Sequence, residues 1–196
     1  MPMRFQRVSY QDREMMESLY RVRYQVYCLE RGFRNPADYP RKLECDEYDS
    51  FSHHYAALTD TGTVVGTVRI IVNSPLGLPL EQHCDLDFSC TGDDRSRIAE
   101  ISRLAVLREW RSASVTLGLC RVIYQESRRM GVVSWYAAMD KGLQRLLQRY
   151  LLSFKLIRDS IDYFGPVSLY RGDIHAMAAA VASSRPDLYC YLSSAA

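Results

Sequence analysis

A three-layer α/β domain around a central mixed sheet is the fold this sequence predicts, on two observations. Its elements arrive as a helix, a hairpin, a strand and then alternating helix and strand, an order that places helices on both faces of a sheet. The second arm of the hairpin, residues 64–72, is apolar on both faces, as a central strand must be. With 196 residues, 47 % apolar and 24 % charged, the chain has material for one such domain over 1–196. No repeat or linker divides it.

Ser9, three residues before Asp12, resembles a capping box and opens the first helix. On that helix Met16, Leu19, Tyr20, Val26 and Tyr27 recur at helical spacing. Residues 31–50 read as a long polar loop broken by Gly32, Pro36 and Pro40. A short strand over 55–58 turns at Asp60-Thr61-Gly62 into the central strand. The irregular stretch 73–96 exceeds the usual connection, which predicts a functional flap or a short helix near 80–83. A strand over 98–106 follows. The helix over 114–130 turns Leu119, Val122 and Ile123 inward and Arg121, Arg128 and Arg129 to water. Residues 132–139 form a strand, and Asp140 caps a helix with Leu143, Leu146, Leu147, Tyr150 and Leu151 on one face. Strands near 155–158 and across 161–171, then a short Ala-rich helix, complete the chain.

Composition narrows the function. A net charge of +2 is too small to argue for nucleic acid. No apolar run reaches the ~18 residues a membrane helix needs, and the first residues carry no apolar export signal. Six cysteines without a C-x-x-C pair suit reduced thiols in the cytoplasm. His53, His54, His83 and His175 lack metal-ligand spacing, so no metal is expected.

Four charged residues break the apolar pattern. Arg23 sits on the apolar face of the first helix, Arg69 inside the central strand, and Glu100 and Arg103 inside the strand over 98–106. A buried guanidinium costs several kcal/mol unless paired and hydrogen-bonded. Asp46 and Asp49, in the neighbouring loop, supply more carboxylate. One reading is an ion-pair cluster that pins the loop to the sheet; the other is a functional cleft, where such clusters concentrate. Strict alternation puts Glu100 and Arg103 on opposite faces, so they share a site only across a bulge or a splay.

These residues carry a resemblance. Arg23-x-x-x-Tyr27, Gly32-Phe33, Glu44-x-Asp46-x-x-Asp49, Gly66-Thr67-Val68-Arg69 and Glu100-Ile101-Ser102-Arg103-Leu104-Ala105-Val106 resemble the acyl-homoserine-lactone autoinducer synthases. They resemble still more the N-acyl amino acid synthases and the acyltransferases associated with the PEP-CTERM/exosortase system. Residues 26–33, Trp135-Tyr136-Ala137-Ala138-Met139, Leu143-x-x-Leu146-Leu147-x-Arg149 and Asp162-Tyr163-Phe164-Gly165 are similar to the exosortase-associated group. The likeness spans residues 10–175. It implies a GNAT-like α-β-α fold with a splayed sheet that moves a fatty acyl chain from a thioester onto an amine.

On that resemblance, Glu100, Ser102 and Arg103 are the catalytic candidates, with Glu100 either taking the amine proton or orienting the amine. Arg23, Tyr27, Phe33, Asp46, Asp49 and Arg69 would form the amine pocket, arginine for a carboxylate and aspartate for an ammonium. Leu104, Ala105 and Val106 would flank the acyl donor and supply N–H groups to the oxyanion, with Arg111 and Ser112 at the donor's phosphate. The stretch 111–116 lacks the glycines usual in a GNAT phosphate loop, which favours an acyl carrier protein over coenzyme A as donor. Tyr20 and Trp135 join Tyr27 and Phe33 as aromatic residues for either an acyl channel or plain core. No bound cofactor is expected beyond the thioester co-substrate. Two alternatives stand beside the N-acyl amino acid synthase: a homoserine-lactone synthase using S-adenosylmethionine, and a non-catalytic acyl or signal binder.

Overall fold

The computed structural model describes residues 3–194 except 85, 87 and 164, and without the side chains of Ser89, Cys90 and Asp162. Phe164, quoted above within a motif, therefore lies outside the described residues. Seven strands form one sheet in the order β1-β2-β3-β4-β5-β7-β6. They are β1 (Arg4–Val8), β2 (Ser52–Leu58), β3 (Val64–Ile71), β4 (Ile98–Val106), β5 (Ser134–Met139), β6 (Lys155–Asp162) and β7 (Pro166–Asp173). β4 and β5 are parallel and every other pair is antiparallel, so the sheet is mixed.

Helix α1 (Arg13–Tyr24) covers one face, packing Met16, Leu19 and Val22 against Ala56, Leu58, Val64 and Ala105. The other face carries α2 (Ala113–Arg129), α4 (Ile174–Ser184) and α5 (Pro186–Ser193), with Leu119, Ile123, Val181 and Leu192 in one cluster with Val68, Ile70 and Trp135. Helix α3 (Lys141–Arg149) starts at Asp140, whose carboxylate accepts from the Leu143 N–H as a cap should.

Three expectations need correction. Asp12 caps α1, accepting from the Met15 N–H, whereas Ser9 lies outside the helix. The strand β1 is absent from the sequence reading because its residues Arg4, Gln6 and Arg7 are exposed at the sheet edge, which leaves no apolar alternation to detect. The two strands read near 155–158 and across 161–171 are instead the antiparallel pair Lys155–Asp162 and Pro166–Asp173. Ser160 at φ +50° and two register shifts between β6 and β7 disrupt the alternation there.

The long stretch 73–96 holds a turn of 3-10 helix at Pro79–Gln82 and is clamped to the sheet by Asp93. Both oxygens of Asp93 accept from Arg171 on β7, at 2.6 and 2.7 Å, and Tyr136 and Ser134 of β5 donate to the same carboxylate. These bonds hold its pKa far below the usual range.

Candidate active site

Two irregularities of β4 build the site. First, β3 and β4 slip by one residue between Thr67↔Ala105 and Arg69↔Ser102, and Arg103 takes φ +53° in the extra position. This β-bulge turns the Arg103 side chain to the same face as Glu100, the device that strict alternation demanded. Second, β4 pairs with β5 only from Ile98↔Ser134 to Glu100↔Tyr136. Beyond that point the two parallel strands part, and the splay opens a cavity of about 460 Å³.

The cavity has a polar mouth and an apolar depth. Tyr27, Phe33, Arg34, Ser102, Arg103 and Tyr163 line it on the α1 side. On the α2 side it runs past Thr116, Cys120, Ile123, Leu143, Leu146 and Leu147 to Tyr124, Trp135 and Leu192. Helix α3 shows what this means for packing. Its apolar stripe is amphipathic as expected, and all three leucines line the cavity, Leu147 buried and Leu143 and Leu146 only half-buried.

Tyr27 stands on a π-helical turn, Gln25–Glu30, that continues α1. Such turns cost regular hydrogen bonding and recur at functional sites. Here the turn aims the Tyr27 hydroxyl at the Leu104 carbonyl, 3.1 Å away, and stacks its ring on Phe33. Gly165, at φ +115°, lets Phe33 sit there, since a Cβ would lie 2.6 Å from the ring.

The backbone of β4 faces the gap. The Leu107 N–H donates to Val65 on β3, so alternation turns the N–H and C=O of Val106 and Leu104 away from β3, into the splay. Both carbonyls already accept hydrogen bonds, Leu104 from Tyr27 and Val106 from Arg111 Nε at 3.0 Å. By the same alternation the N–H groups of these two residues face the splay. Arg111, ion-paired with Glu30, and Ser112, the N-cap of α2, complete that end of the cavity.

Beneath the polar mouth lies the charged cluster. Glu44 is fully buried and receives Arg23 and Arg103, with Arg34 3.8 Å away. Asp49 is shared by Arg23 and Arg69, each 2.8 Å from one of its oxygens, and Asp46 receives Arg69 and Arg103. The Asp46 and Asp49 carboxylates also cap their own 3-10 turn, Glu47–Phe51. The guanidiniums keep Glu44 ionised, with its pKa lowered to about 2 against the effect of burial, and they hold Asp49 far down as well. Four guanidiniums thus meet three carboxylates, and Arg34 and Arg103 are the two that also line the cavity.

Of the sequence candidates, Ser102, Arg103, Tyr27, Phe33, Leu104, Ala105, Val106, Arg111 and Ser112 all line the cavity. Arg23, Asp46, Asp49 and Arg69 do not; they form the network that pins the 31–50 loop to α1, β3 and β4. Glu100 is also off the wall, 1 % exposed. Its Oε2 accepts from the Leu80 N–H at 2.9 Å and its Oε1 from the Tyr163 hydroxyl at 3.1 Å. Burial lifts its pKa to about 7 against the pull of Arg69 and Arg103. Trp135 lines the cavity and Tyr20 does not.

Sequence reasoning missed three residues. Glu44 appears in the quoted run without a role, because a charged residue inside a polar loop carries no sign of burial. Arg34, beside Phe33, falls in the polar loop over 31–50, where nothing in the sequence singles it out. Tyr163 sits in the misread hairpin.

The family model for the N-acyl amino acid synthase FeeM matches residues 18–166. No curated protein matches the chain by sequence. Solved structures are similar in fold. The structure of FeeM, an N-acyl amino acid synthase from uncultured soil microbes, superposes with a TM-score of 0.68 at 12 % identity, covering 91 % of this chain and 93 % of that one. The CoA-dependent acyl-homoserine lactone synthase BjaI, with SAM and isopentyl-CoA, gives 0.68 at 17 % identity, over 97 % and 99 %. A putative N-acetyltransferase from Lactobacillus plantarum gives 0.62 at 12 %, over 89 % and 99 %. The shared architecture is the GNAT-like α-β-α fold.

Proposed function

The chain belongs to the family of the N-acyl amino acid synthase FeeM and is an acyltransferase that acts on an amine; from that premise we propose that it joins a fatty acyl chain, delivered as a carrier thioester, to the amino group of a free amino acid. The observation that carries this reading is the cavity's polarity. Its depth suits an alkyl chain and its mouth holds Arg103 and Arg34, which suit a carboxylate.

The thioester carbonyl lies in the splay, with its oxygen toward the N–H groups of Leu104 and Val106. Those donors stabilise the charge that develops when the amine attacks, without reorganising. Arg103 holds the amino acid's carboxylate and thereby fixes its nitrogen near the thioester carbon. Arg23, Asp46, Asp49 and Arg69 act at one remove, by fixing Arg103 through Glu44 and Asp46. Ser102, which accepts from Arg69 Nε at 3.0 Å, presents its hydroxyl to the same mouth. The acyl chain runs between α2 and α3 toward Leu192, and the thiol leaves by the end at Arg111 and Ser112.

We assign the donor to an acyl carrier protein, with its phosphopantetheine arm entering past Arg111 and the start of α2. The glycine-free 111–116 stretch and the arginines Arg31, Arg108 and Arg111 around that end favour an acidic protein over a free nucleotide. With an acyl carrier protein as donor, the proposed site of action is the cytoplasm. No helix among the described residues is long and apolar enough to cross a membrane.

Mass spectrometry of lipid extracts from cells overproducing the chain tests the reading. New N-acyl amino acids, absent from cells with empty vector, are the expected result. Acyl-homoserine lactones together with methylthioadenosine would replace it with the lactone-synthase reading.

A further inference from the structure

Glu100 presents a difficulty that its surroundings resolve. Its carboxyl is buried behind the wall of the cavity, so a bound amine has no direct path to it. The one described side chain that both lines the cavity and hydrogen-bonds Glu100 is Tyr163, whose hydroxyl donates to Oε1 at 3.1 Å. We infer that Tyr163 is a catalytic residue of the acyl transfer, the phenol through which the proton of the attacking amine reaches Glu100.

The inference rests on the proposed acyl transfer and deepens it. As the amine nitrogen bonds to the thioester carbon, it gives a proton to Tyr163 Oη while the phenol passes its own proton to Glu100 Oε1. The carbon–sulfur bond then breaks, and the thiolate takes the proton back along the same route. The amide and the free thiol are the products, and Glu100 and Tyr163 end as they began. Tyr163 is never ionised in this scheme, in keeping with the burial and the Glu100 charge that push its pKa far up. Glu100, poised near neutrality, is matched to accepting the proton and returning it.

The surroundings hold the pair in register. The Leu80 N–H fixes the second oxygen of Glu100, and the His83 ring meets Tyr163 edge-on at 4.8 Å. The other titratable groups facing the dyad are Arg69 from β3, Arg103 on Glu100's own strand, Arg34 from the loop, Tyr48 from its 3-10 turn and Cys84 after the 79–82 turn. Burial pushes the Tyr48 phenol and the Cys84 thiol up, so both stay neutral near 7, and arginine side chains do not deprotonate in proteins. Among the described residues, the His83 imidazole is the remaining ionisable group in contact with the dyad.

The test is Tyr163→Phe, assayed beside the wild type with palmitoyl thioesters of acyl carrier protein and of coenzyme A and a mixture of the twenty amino acids. The wild-type rate should rise with pH through about 7 as Glu100 ionises. Tyr163→Phe should lose about 100-fold in kcat with the thioester KM unchanged, and should lose that limb. Retained kcat with the limb intact would overturn the relay while leaving the acyl transfer standing. A wild type that releases no thiol from either donor would overturn the acyl transfer, and the relay with it. Should Tyr163→Phe not fold, single-turnover rates of the wild type in mixtures of light and heavy water decide. Two protons moving together give a curved dependence on deuterium fraction, and a straight line would refute the relay. His83→Gln, predicted to keep the limb, separates Glu100 from the histidine; loss of the limb there would overturn the assignment to Glu100.

Discussion

Arg23 and Arg103 share the carboxylate of Glu44, yet only Arg103 reaches the cavity, so the two residues should fail differently. Arg23→Met leaves Glu44 and Asp49 buried with one partner fewer. Removing one side of a buried pair costs about 3–5 kcal/mol, and a urea titration should show that loss. Arg103→Lys keeps the charge but not the planar fork that a carboxylate prefers. A charged hydrogen bond contributes about 1.5–3 kcal/mol, so the amino-acid KM should rise roughly 10–100-fold with the thioester KM steady. Equal rises in both constants would remove Arg103 from the amine pocket. The anomalies Arg23, Arg69, Glu100 and Arg103 were visible in the sequence because charge inside apolar periodicity stands out. Which of them lines the cavity was not visible, since that depends on a bulge of one residue at Arg103.

At the scale of elements, the cavity ends where α2, β5 and α5 meet. Tyr124, Trp135, Leu152 and Leu192 separate the cavity from a second void of about 10 Å³ toward α4. Leu192→Ala should merge the two and shift the preferred donor toward chains longer by about two carbons, each methylene gaining about 0.8 kcal/mol on burial. An unchanged chain-length profile would place the acyl terminus elsewhere. A close approach tests the other end of α2. Gly118 accepts the ring of Phe5 from β1, and a Cβ there would lie 2.0 Å from the ring. Helix propensity alone favours Gly118→Ala by about 1 kcal/mol, but overpacking costs about 1–3, so thermal melting should show a net loss. The pairing of β1 is what the sequence hid, because an edge strand reading Arg-Phe-Gln-Arg-Val, with three exposed polar residues, leaves little apolar signal. The helices α2 and α3 were legible to within a residue or two through their 3.6-residue stripes, and α3 also through its cap, Asp140.

Across the whole molecule, buried titratable groups set how stability follows pH. Glu100, raised to about 7, binds a proton more tightly folded than unfolded, so its contribution is full below its unfolded value and is lost as pH rises through about 7. His54, buried against the Asp49 carbonyl and lowered to about 4, does the reverse, losing stability as pH falls from its ordinary value toward 4. Between about 4.5 and 6.5 the two slopes oppose, and the wild type should show a plateau in urea midpoints. Below it, Glu44, lowered to about 2, and Asp49 and Asp93, lowered further, should lose stability steeply with acid. Glu100→Gln should turn the plateau into a rise with pH, His54 being left unopposed. A plateau that survives the substitution would mean that Glu100 titrates as an ordinary carboxyl.

Thiol release by the purified chain measures most directly whether the splayed cavity joins a fatty acyl thioester to an amino acid. With palmitoyl acyl carrier protein as donor, release should require a free amino acid, saturate with it, and match the N-acyl amino acid formed one for one. Thiol release that ignores the amino acid, or that requires S-adenosylmethionine instead, would contradict the proposed function.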